Sequence, residues 1–177
     1  KHQFMNYYIT GISGTGKSTI GEALRKRGLL VYDLDAIPGL CYWKNKETGI
    51  EAKYNTGVGK EWLEAHEWLC DTNKLKEILK GNLGTDVIVV GIASNQKEFL
   101  NYFSKIFLLY CSEETFINRL KTRDEGNGFA KDESEQEHVL SWYKEFEDGL
   151  RMLGAIPIDT EQSVDKVVSE IALHISA

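Results

Sequence analysis

The fold of this chain depends on the stretch Gly11-Ile12-Ser13-Gly14-Thr15-Gly16-Lys17-Ser18-Thr19. It matches the pattern G-x-x-x-x-G-K-[ST] of a phosphate-binding loop. Before it, Tyr7-Tyr8-Ile9-Thr10 predicts a short buried strand. After it, the segment 20–27 predicts a helix with one apolar face. A strand, a glycine-rich loop and a helix in this order predict that the loop binds the phosphates of a nucleotide.

The chemistry of the loop explains why these residue types are needed. Glycine lets the main chain approach a ligand closely, and successive N–H groups then form a concavity that binds anions. Lys17 is expected to bridge the outer phosphates, and the hydroxyl of Ser18 is expected to coordinate Mg²⁺. The predicted nucleotide-binding residues are Gly11, Ser13, Gly14, Thr15, Gly16, Lys17, Ser18 and Thr19.

Two carboxylates follow the second apolar run, Leu29-Leu30-Val31-Tyr32. Asp33 and Asp35 are two residues apart, so they point to one side if the strand geometry persists. In an open α/β sheet, ligands lie outside the carboxyl ends of the strands, which is the edge that the loop also occupies. We expect at least one of these acids to act with the nucleotide; a solvated turn capped by Asp35 is the alternative.

Apolar runs alternate with amphipathic segments along the whole chain. Further strands are predicted at 87–90, 106–110 and 155–158, and helices are predicted at 61–80, from Ser112, from Ser134 and from Ser163. The segment 61–80 is the one in which a break is expected, near Asp71-Thr72. This order predicts an α/β domain over 1–177, with a five-stranded parallel sheet and helices on both faces.

An insertion at about 36–80 is rich in aromatic residues and in lysine, and it contains no arginine. One interpretation is a segment that binds the acceptor, in which rings stack on the ligand. The other is that the aromatic residues pack the segment onto the core. The sequence leaves both open, and the aromatic residues concerned are Tyr42, Trp43, Tyr54, Trp62 and Trp68.

Arg119 and Arg123 are four residues apart and therefore lie on one side of a predicted helix. The loop 124–128 that follows has the composition of a mobile lid, so a lid is predicted at about 119–134. The alternative is that the two arginines pair with nearby acids on a solvated face.

Composition limits the partners of the protein. A hydrophobic content of 42% and a charged content of 27% are typical of a globular protein, and no apolar run is long enough to cross a membrane. The net charge of −6 argues against nucleic acid as the main partner. Three widely spaced cysteines indicate free thiols and a cytoplasmic location. The oligomeric state is left between a monomer and a homodimer.

With the loop at 11–19, the pair Asp33 and Asp35 and the pair Arg119 and Arg123, the chain resembles the P-loop small-molecule kinases, such as nucleoside monophosphate, shikimate and gluconate kinases. The resemblance implies ATP and Mg²⁺, a core strand order of 2-3-1-4-5, and transfer of the γ-phosphoryl group to a small acceptor. It also implies that Asp33 acts near the metal with Ser18, that Asp35 orients or deprotonates the acceptor hydroxyl, and that both arginines contact phosphates. Residues 36–105 contain no arginine, unlike these kinases, so the acceptor stays open between a nucleoside, a nucleotide and a polyol or hydroxy acid.

Two other functions use the same loop. One is an ATPase or nucleotide switch that acts on a partner, although the third strand ends in Gly91 rather than in the acid that such proteins carry. The other is a kinase of nucleic-acid ends, which would need a positive patch that only the lysines between 44 and 60 offer.

Overall fold

The structure is a computed structural model, and it describes residues 3–123 and 128–176. Two short 3₁₀ turns cover Gln96–Glu98 and Leu100–Tyr102. The strands of these residues are β1 (Asn6–Thr10), β2 (Leu30–Asp33), β3 (Cys41–Asn45), β4 (Glu51–Ala52), β5 (His66–Cys70), β6 (Val87–Val90), β7 (Lys105–Tyr110) and β8 (Ile156–Asp159). The helices are α1 (Lys17–Lys26), α2 (Lys60–Ala65), α3 (Thr72–Lys80), α4 (Glu113–Lys121), α5 (Glu133–Met152) and α6 (Val164–Ser176).

Five of the strands form one parallel sheet in the order β2-β6-β1-β7-β8. Numbered along the core alone, this is the order 2-3-1-4-5 that the resemblance implied. All four residues of β6 are buried, as expected for a strand covered on both faces. Pro157 lies in the edge strand β8, where its missing N–H costs no ladder hydrogen bond. The predicted fold class is confirmed.

The hydrophobic core lies on both faces of this sheet. On one face, α1 and α6 pack side chains such as Leu24 and Ile171 against the sheet residues Ile9 and Val90. The other face is covered by α3, by the two 3₁₀ turns and, towards β7, by α5. Within the described part of the chain, none of the helices is both long and apolar enough to cross a membrane.

A second, antiparallel sheet in the order β4-β3-β5 corrects the prediction for 61–80. That segment is not one helix, because α2 ends at Ala65 and β5 follows directly. Trp68 in β5 lies opposite Trp43 in β3, and their ring centroids are 5.4 Å apart. Cross-strand aromatic pairs stabilise a sheet, and this tertiary pairing outweighs the local helical pattern. The break expected near Asp71 is real, since its side chain caps α3.

Helix caps were predicted with mixed success. Ser112 caps α4 as expected, because its hydroxyl accepts a hydrogen bond from the Thr115 N–H. The cap of α5 is Asp132 rather than Ser134, and its carboxylate accepts from the Glu135 N–H at 2.9 Å. The hydroxyl of Ser134 instead accepts from the Lys60 N–H at 2.7 Å. Ser134 thus joins α5 to the insertion instead of starting the helix.

Candidate active site

The glycine-rich loop has the backbone conformation that its sequence predicts. Gly14 and Gly16 adopt positive φ angles of 90° and 94°, which residues with a Cβ rarely adopt. Gly16 directly precedes Lys17, the first residue of α1, so the N–H groups of the first turn face the loop. The arrangement has the strand, loop and helix order that suits an anion.

Lys17 lies inside this loop. Its ammonium group donates hydrogen bonds to the carbonyl oxygens of Gly11 and, at 3.0 Å, of Ile12. Burial lowers the pKa of Lys17 to about 8, and the charge of Asp35 partly opposes that shift. A cation held among backbone atoms at this point is available to a phosphate group.

The metal ligands suggested by the sequence lie together. The hydroxyl of Ser18 donates to Oδ2 of Asp33 at 3.3 Å. The other carboxylate oxygen of Asp33 accepts from the Asp35 N–H at 2.9 Å, which fixes the turn between the two acids. A hydroxyl and a carboxylate at this distance are oxygen donors of the kind that Mg²⁺ prefers.

Asp35 lies on the wall of the cleft, where solvent reaches it. The surrounding protein still desolvates the carboxylate and, with the charge of Asp33, raises the pKa of Asp35. The charge of Lys17, the indole of Trp68 and the charge of Arg123 act in the opposite direction. A carboxylate with a raised pKa that faces the cleft is suited to accept a proton from a ligand.

Arg119 connects two parts of the site. Its guanidinium donates to the Gly14 carbonyl oxygen at 3.4 Å and to the Thr160 hydroxyl and carbonyl oxygens at 3.3 and 2.8 Å. The side chain of α4 therefore joins the loop to the segment that follows β8. This position differs from the predicted alternative of a pair with acids on a solvated face.

Arg123 lies two residues after α4 and lines the same cleft. Its guanidinium donates to the carbonyl oxygen of Phe129 at 3.5 Å, and the charge of Asp35 acts on it. Residues 124–127 of the lid predicted over 119–134 lie outside the described residues.

All the predicted catalytic side chains border a single cleft of about 1420 Å³. Pockets for one small molecule usually measure roughly 300 to 1,000 Å³, so this cleft has room for a nucleotide and a second molecule. Lys17, Ser18, Asp35, Arg119 and Arg123 all line it.

Four rings line the cleft beside these polar groups, and we call them the aromatic wall: Trp43, Tyr54, Trp68 and Phe129. Trp43 is at the centre of the group, 6.1 Å from Tyr54 and 6.2 Å from Phe129 between centroids. Trp62 packs behind Trp43 at 5.2 Å. The rings therefore pack on one another and also line the cleft, an arrangement that is compatible with both interpretations of the insertion.

Glu135 is a residue of this region whose importance the sequence does not reveal. It is fully buried, and its carboxylate accepts hydrogen bonds from the Tyr54 hydroxyl at 2.9 Å, the Ala130 N–H at 2.8 Å and the Gly59 N–H at 3.3 Å. The sequence suggests only a capping-box position near Ser134. The carboxylate instead holds the insertion and Ala130 against α5. The sequence feature that could have indicated this role is the position of an acid three residues after Asp132.

The fold and this site define a P-loop protein of the kind found among small-molecule kinases, and three solved structures show how far the likeness extends. A gluconokinase from Sinorhizobium meliloti is 18% identical and covers 99% of this chain and 94% of its own, with a TM-score of 0.55. A deoxyadenosine kinase from M. mycoides with bound dATP is 17% identical and covers 98% and 100%, with a TM-score of 0.58. A shikimate kinase from Acinetobacter baumannii in complex with shikimate is 20% identical and covers 98% and 94%, with a TM-score of 0.59.

These identities are low, and they establish the shared fold alone. The family model described as "AAA domain" matches residues 8–140, which is most of the chain. The chain therefore belongs to this AAA domain family. None of the curated proteins is similar enough to the chain to count as a match.

Proposed function

We propose that this protein transfers the γ-phosphoryl group of ATP to a hydroxyl group of a small-molecule acceptor. The observation that supports this best is the meeting of Lys17, Ser18 and Asp35 in one cleft, where the Ser18 hydroxyl also donates to Asp33. A nucleotide-binding loop alone would fit many proteins. A second carboxylate facing the loop, with room beside it, is what an acceptor hydroxyl requires.

Magnesium fits the donor atoms that are present. Ser18 and Asp33 would hold it, and no three acidic, histidine or cysteine side chains converge on a metal site among the described residues. Two protein ligands are a normal number for Mg²⁺, which usually keeps several waters and also binds the phosphates of the nucleotide. When bound, the ion supplies positive charge that neutralises the phosphate oxygens.

The transfer step uses the side chains of this chain for position and charge. The acceptor oxygen forms a bond to the γ-phosphorus as its proton passes to the Asp35 carboxylate. The bond between the γ-phosphorus and the bridging oxygen breaks, and its electron pair leaves with ADP. Lys17 and the loop N–H groups stabilise the charge that develops on the phosphates.

The arginines extend this stabilisation to the outer oxygens of the phosphates. Arg119 is already aligned along the loop by its bonds to Gly14 and Thr160. Arg123 lies between the loop and the insertion at about 36–80, which we propose as the acceptor-binding part of the domain. The free thiols of Cys41, Cys70 and Cys111 support the cytoplasm as its location.

The release of ADP from Mg-ATP tests this proposal, measured alone and with a panel of nucleosides, nucleotides, polyols and hydroxy acids. A rate that rises with one acceptor supports a kinase, and an acceptor-independent rate supports an ATPase instead. Asp35→Asn should lower kcat by about 10²- to 10⁴-fold with little change in ATP affinity, because it removes only the proton acceptor. Near-normal turnover by Asp35→Asn, or by a folded Lys17→Ala variant, would contradict the mechanism.

A further inference from the structure

The aromatic wall and the charges around it restrict the chemistry of the acceptor. We infer that the acceptor is an uncharged hydroxyl compound with a flat aromatic ring, as in a nucleoside, rather than a phosphorylated or carboxylated compound. This inference rests on the proposed function, because it concerns the second substrate of the same cleft. Its ring lies against the aromatic wall while its hydroxyl reaches Asp35.

The position of the aromatic wall supports this placement. Trp43 and Trp68 lie opposite each other on β3 and β5, so their side chains lie on one face of the small sheet. Trp68 and Asp35 line the same cleft, and the indole of Trp68 is near enough to Asp35 to oppose the rise in its pKa. A ligand that places a hydroxyl at Asp35 therefore lies within reach of the rings.

Several of the cations that line the cleft already donate hydrogen bonds to the protein. Arg119 is bonded to Gly14 and Thr160, and Lys46 donates to the Glu64 carbonyl oxygen at 2.8 Å. Lys97 also borders a second depression beside Tyr42, on the other face of β3 from Trp43. Among the residues that the structure describes, the cations that line the cleft are Lys17, Lys46, Lys97, Arg119 and Arg123.

The insertion adds two carboxylates, Glu64 and Glu67, to the lining of the cleft beside Asp35, and among the described residues it adds one lysine, Lys46. Of the arginines, only Arg123 lies near Asp35, and the γ-phosphate needs that charge. A phosphate or carboxylate on the acceptor would lie among carboxylates without a bidentate partner, which costs affinity.

The rings supply what the charges do not. Aromatic side chains stack on the face of any base. Replacing such a side chain with alanine measurably weakens the binding of the base. An aliphatic polyol has no such face and would leave the rings without their best partner. The four rings and the Asp35 carboxylate together therefore fit a planar ring that carries a hydroxyl group.

Matched acceptors test this inference in the intact enzyme. ADP release is measured with adenosine, guanosine, cytidine and thymidine, with their 5′-monophosphates, with glycerol, gluconate and shikimate, and with pyridoxine as a ring-bearing alcohol that is not a nucleoside. We expect kcat/KM for at least one uncharged ring compound to exceed that of each anion and of each non-aromatic alcohol by about tenfold or more. That difference is the effect expected from one stacking contact. Pyridoxine separates a general ring site from a site for nucleosides.

A matched pair of variants tests the role of the wall. Trp43→Leu should raise KM for the ring acceptor by about tenfold and leave KM for ATP unchanged, because it removes a stacking face. Tyr42→Leu is the control, since Tyr42 directly precedes Trp43 in β3 and lies on the opposite face of the strand. Equal effects of the two variants on the acceptor would overturn the inference.

The outcomes separate this inference from the proposed function. Transfer to a nucleoside monophosphate, gluconate or shikimate, with none to uncharged ring compounds, would overturn the inference and leave the kinase intact. ADP release that no acceptor accelerates would overturn the proposed function itself. Quenching of tryptophan fluorescence by the preferred acceptor without ATP should be reduced in Trp43→Leu, in which Trp68 remains, and kept in Tyr42→Leu.

Discussion

Burial of the Lys17 side chain disfavours its positively charged form. The lowered pKa of about 8 means that a substantial part of the free enzyme is uncharged at mildly alkaline pH. A phosphate group that binds there favours the charged form. Lys17 is therefore a residue whose contribution depends on pH within an accessible range.

The affinity for Mg-ATP should fall as the pH rises through the pKa of Lys17. Binding needs the ammonium form, which is present below that pKa and lost above it, so the dissociation constant should rise about tenfold between about pH 7 and about pH 9. Isothermal titration calorimetry with a non-hydrolysable ATP analogue measures this change. Lys17→Arg is the control, because a guanidinium stays charged and its affinity should not vary with pH. An equal slope in both proteins would contradict the assignment.

The buried carboxylate of Glu135 is the second residue whose effect the structure allows us to predict. The Glu135 carboxylate accepts a hydrogen bond from the Ala130 N–H. Ala130 has a positive φ of 56°, which a residue with a Cβ adopts only when its surroundings hold it there. Glu135→Ala should lower the free energy of unfolding by about 3 kcal/mol, because the Tyr54 hydroxyl and two N–H groups lose their acceptor.

Urea denaturation measures this loss of stability. Glu137→Ala is the matched control: Glu137 is on the same helix and also reaches the insertion, through a 3.8 Å ion pair with Lys60, but it is exposed. Its removal should change the free energy of unfolding by less than about 1 kcal/mol. Similar effects of the two substitutions would show that the buried hydrogen bonds contribute little.

At the scale of the elements, the pairing of β3 and β5 decides the shape of the insertion. Cys41 and Cys70 are partners in this pairing. The N–H and the carbonyl oxygen of Cys70 both bond to the side-chain amide of Asn95 at 2.9 Å, so neither points towards β3. The next pair along does share a bond, from the Asp71 N–H to the Leu40 carbonyl oxygen. Cys41 and Cys70 are therefore a non-hydrogen-bonded pair, the kind in which the side chains are closest.

Oxidised glutathione should join Cys41 to Cys70. Non-hydrogen-bonded partners have Cα atoms about 4.5 Å apart, which is within the range of a disulfide. Exchange of one thiol with oxidised glutathione gives a mixed disulfide and releases one glutathione, and the thiolate of the other cysteine then displaces the second. Mass spectrometry should detect the loss of two hydrogen atoms, also in Cys111→Ser, but not in Cys70→Ser. A stable glutathione adduct on the unsubstituted protein would contradict the pairing.

The elements also show what the sequence can and cannot predict. The strands of the main sheet were predictable because runs such as Val87-Ile88-Val89-Val90 are buried on both faces and leave no other interpretation. The strand β5 was missed because its residues, including Trp68, become a strand only through the partner β3. The approach of Trp68 to Asp35 was missed for the same reason: it depends on how the insertion folds over the sheet.

At the scale of the whole molecule, the proposed nucleotide site lies at the end of the middle strand of the main sheet. The loop connects β1, the middle strand of the five, to α1, which packs against β2 and α6. A ligand that holds the loop therefore holds a strand and a helix whose side chains, such as Ile9 and Leu24, pack together in the core. Binding energy at such a place stabilises the folded molecule as a unit.

Mg-ATP should accordingly raise the melting temperature of the protein. At about 100 times its dissociation constant, a ligand that binds only the folded state adds about 2.7 kcal/mol, or roughly 5 to 10 °C for a chain of this size. Differential scanning fluorimetry with a non-hydrolysable analogue measures the shift, which should shrink when EDTA removes the metal. Lys17→Ala should lose most of the shift at the same ligand concentration, because the loop N–H groups then hold the phosphates alone. An equal shift in Lys17→Ala would show that the nucleotide binds elsewhere in the cleft, and the roles given to Ser18 and Asp33 would fail with it.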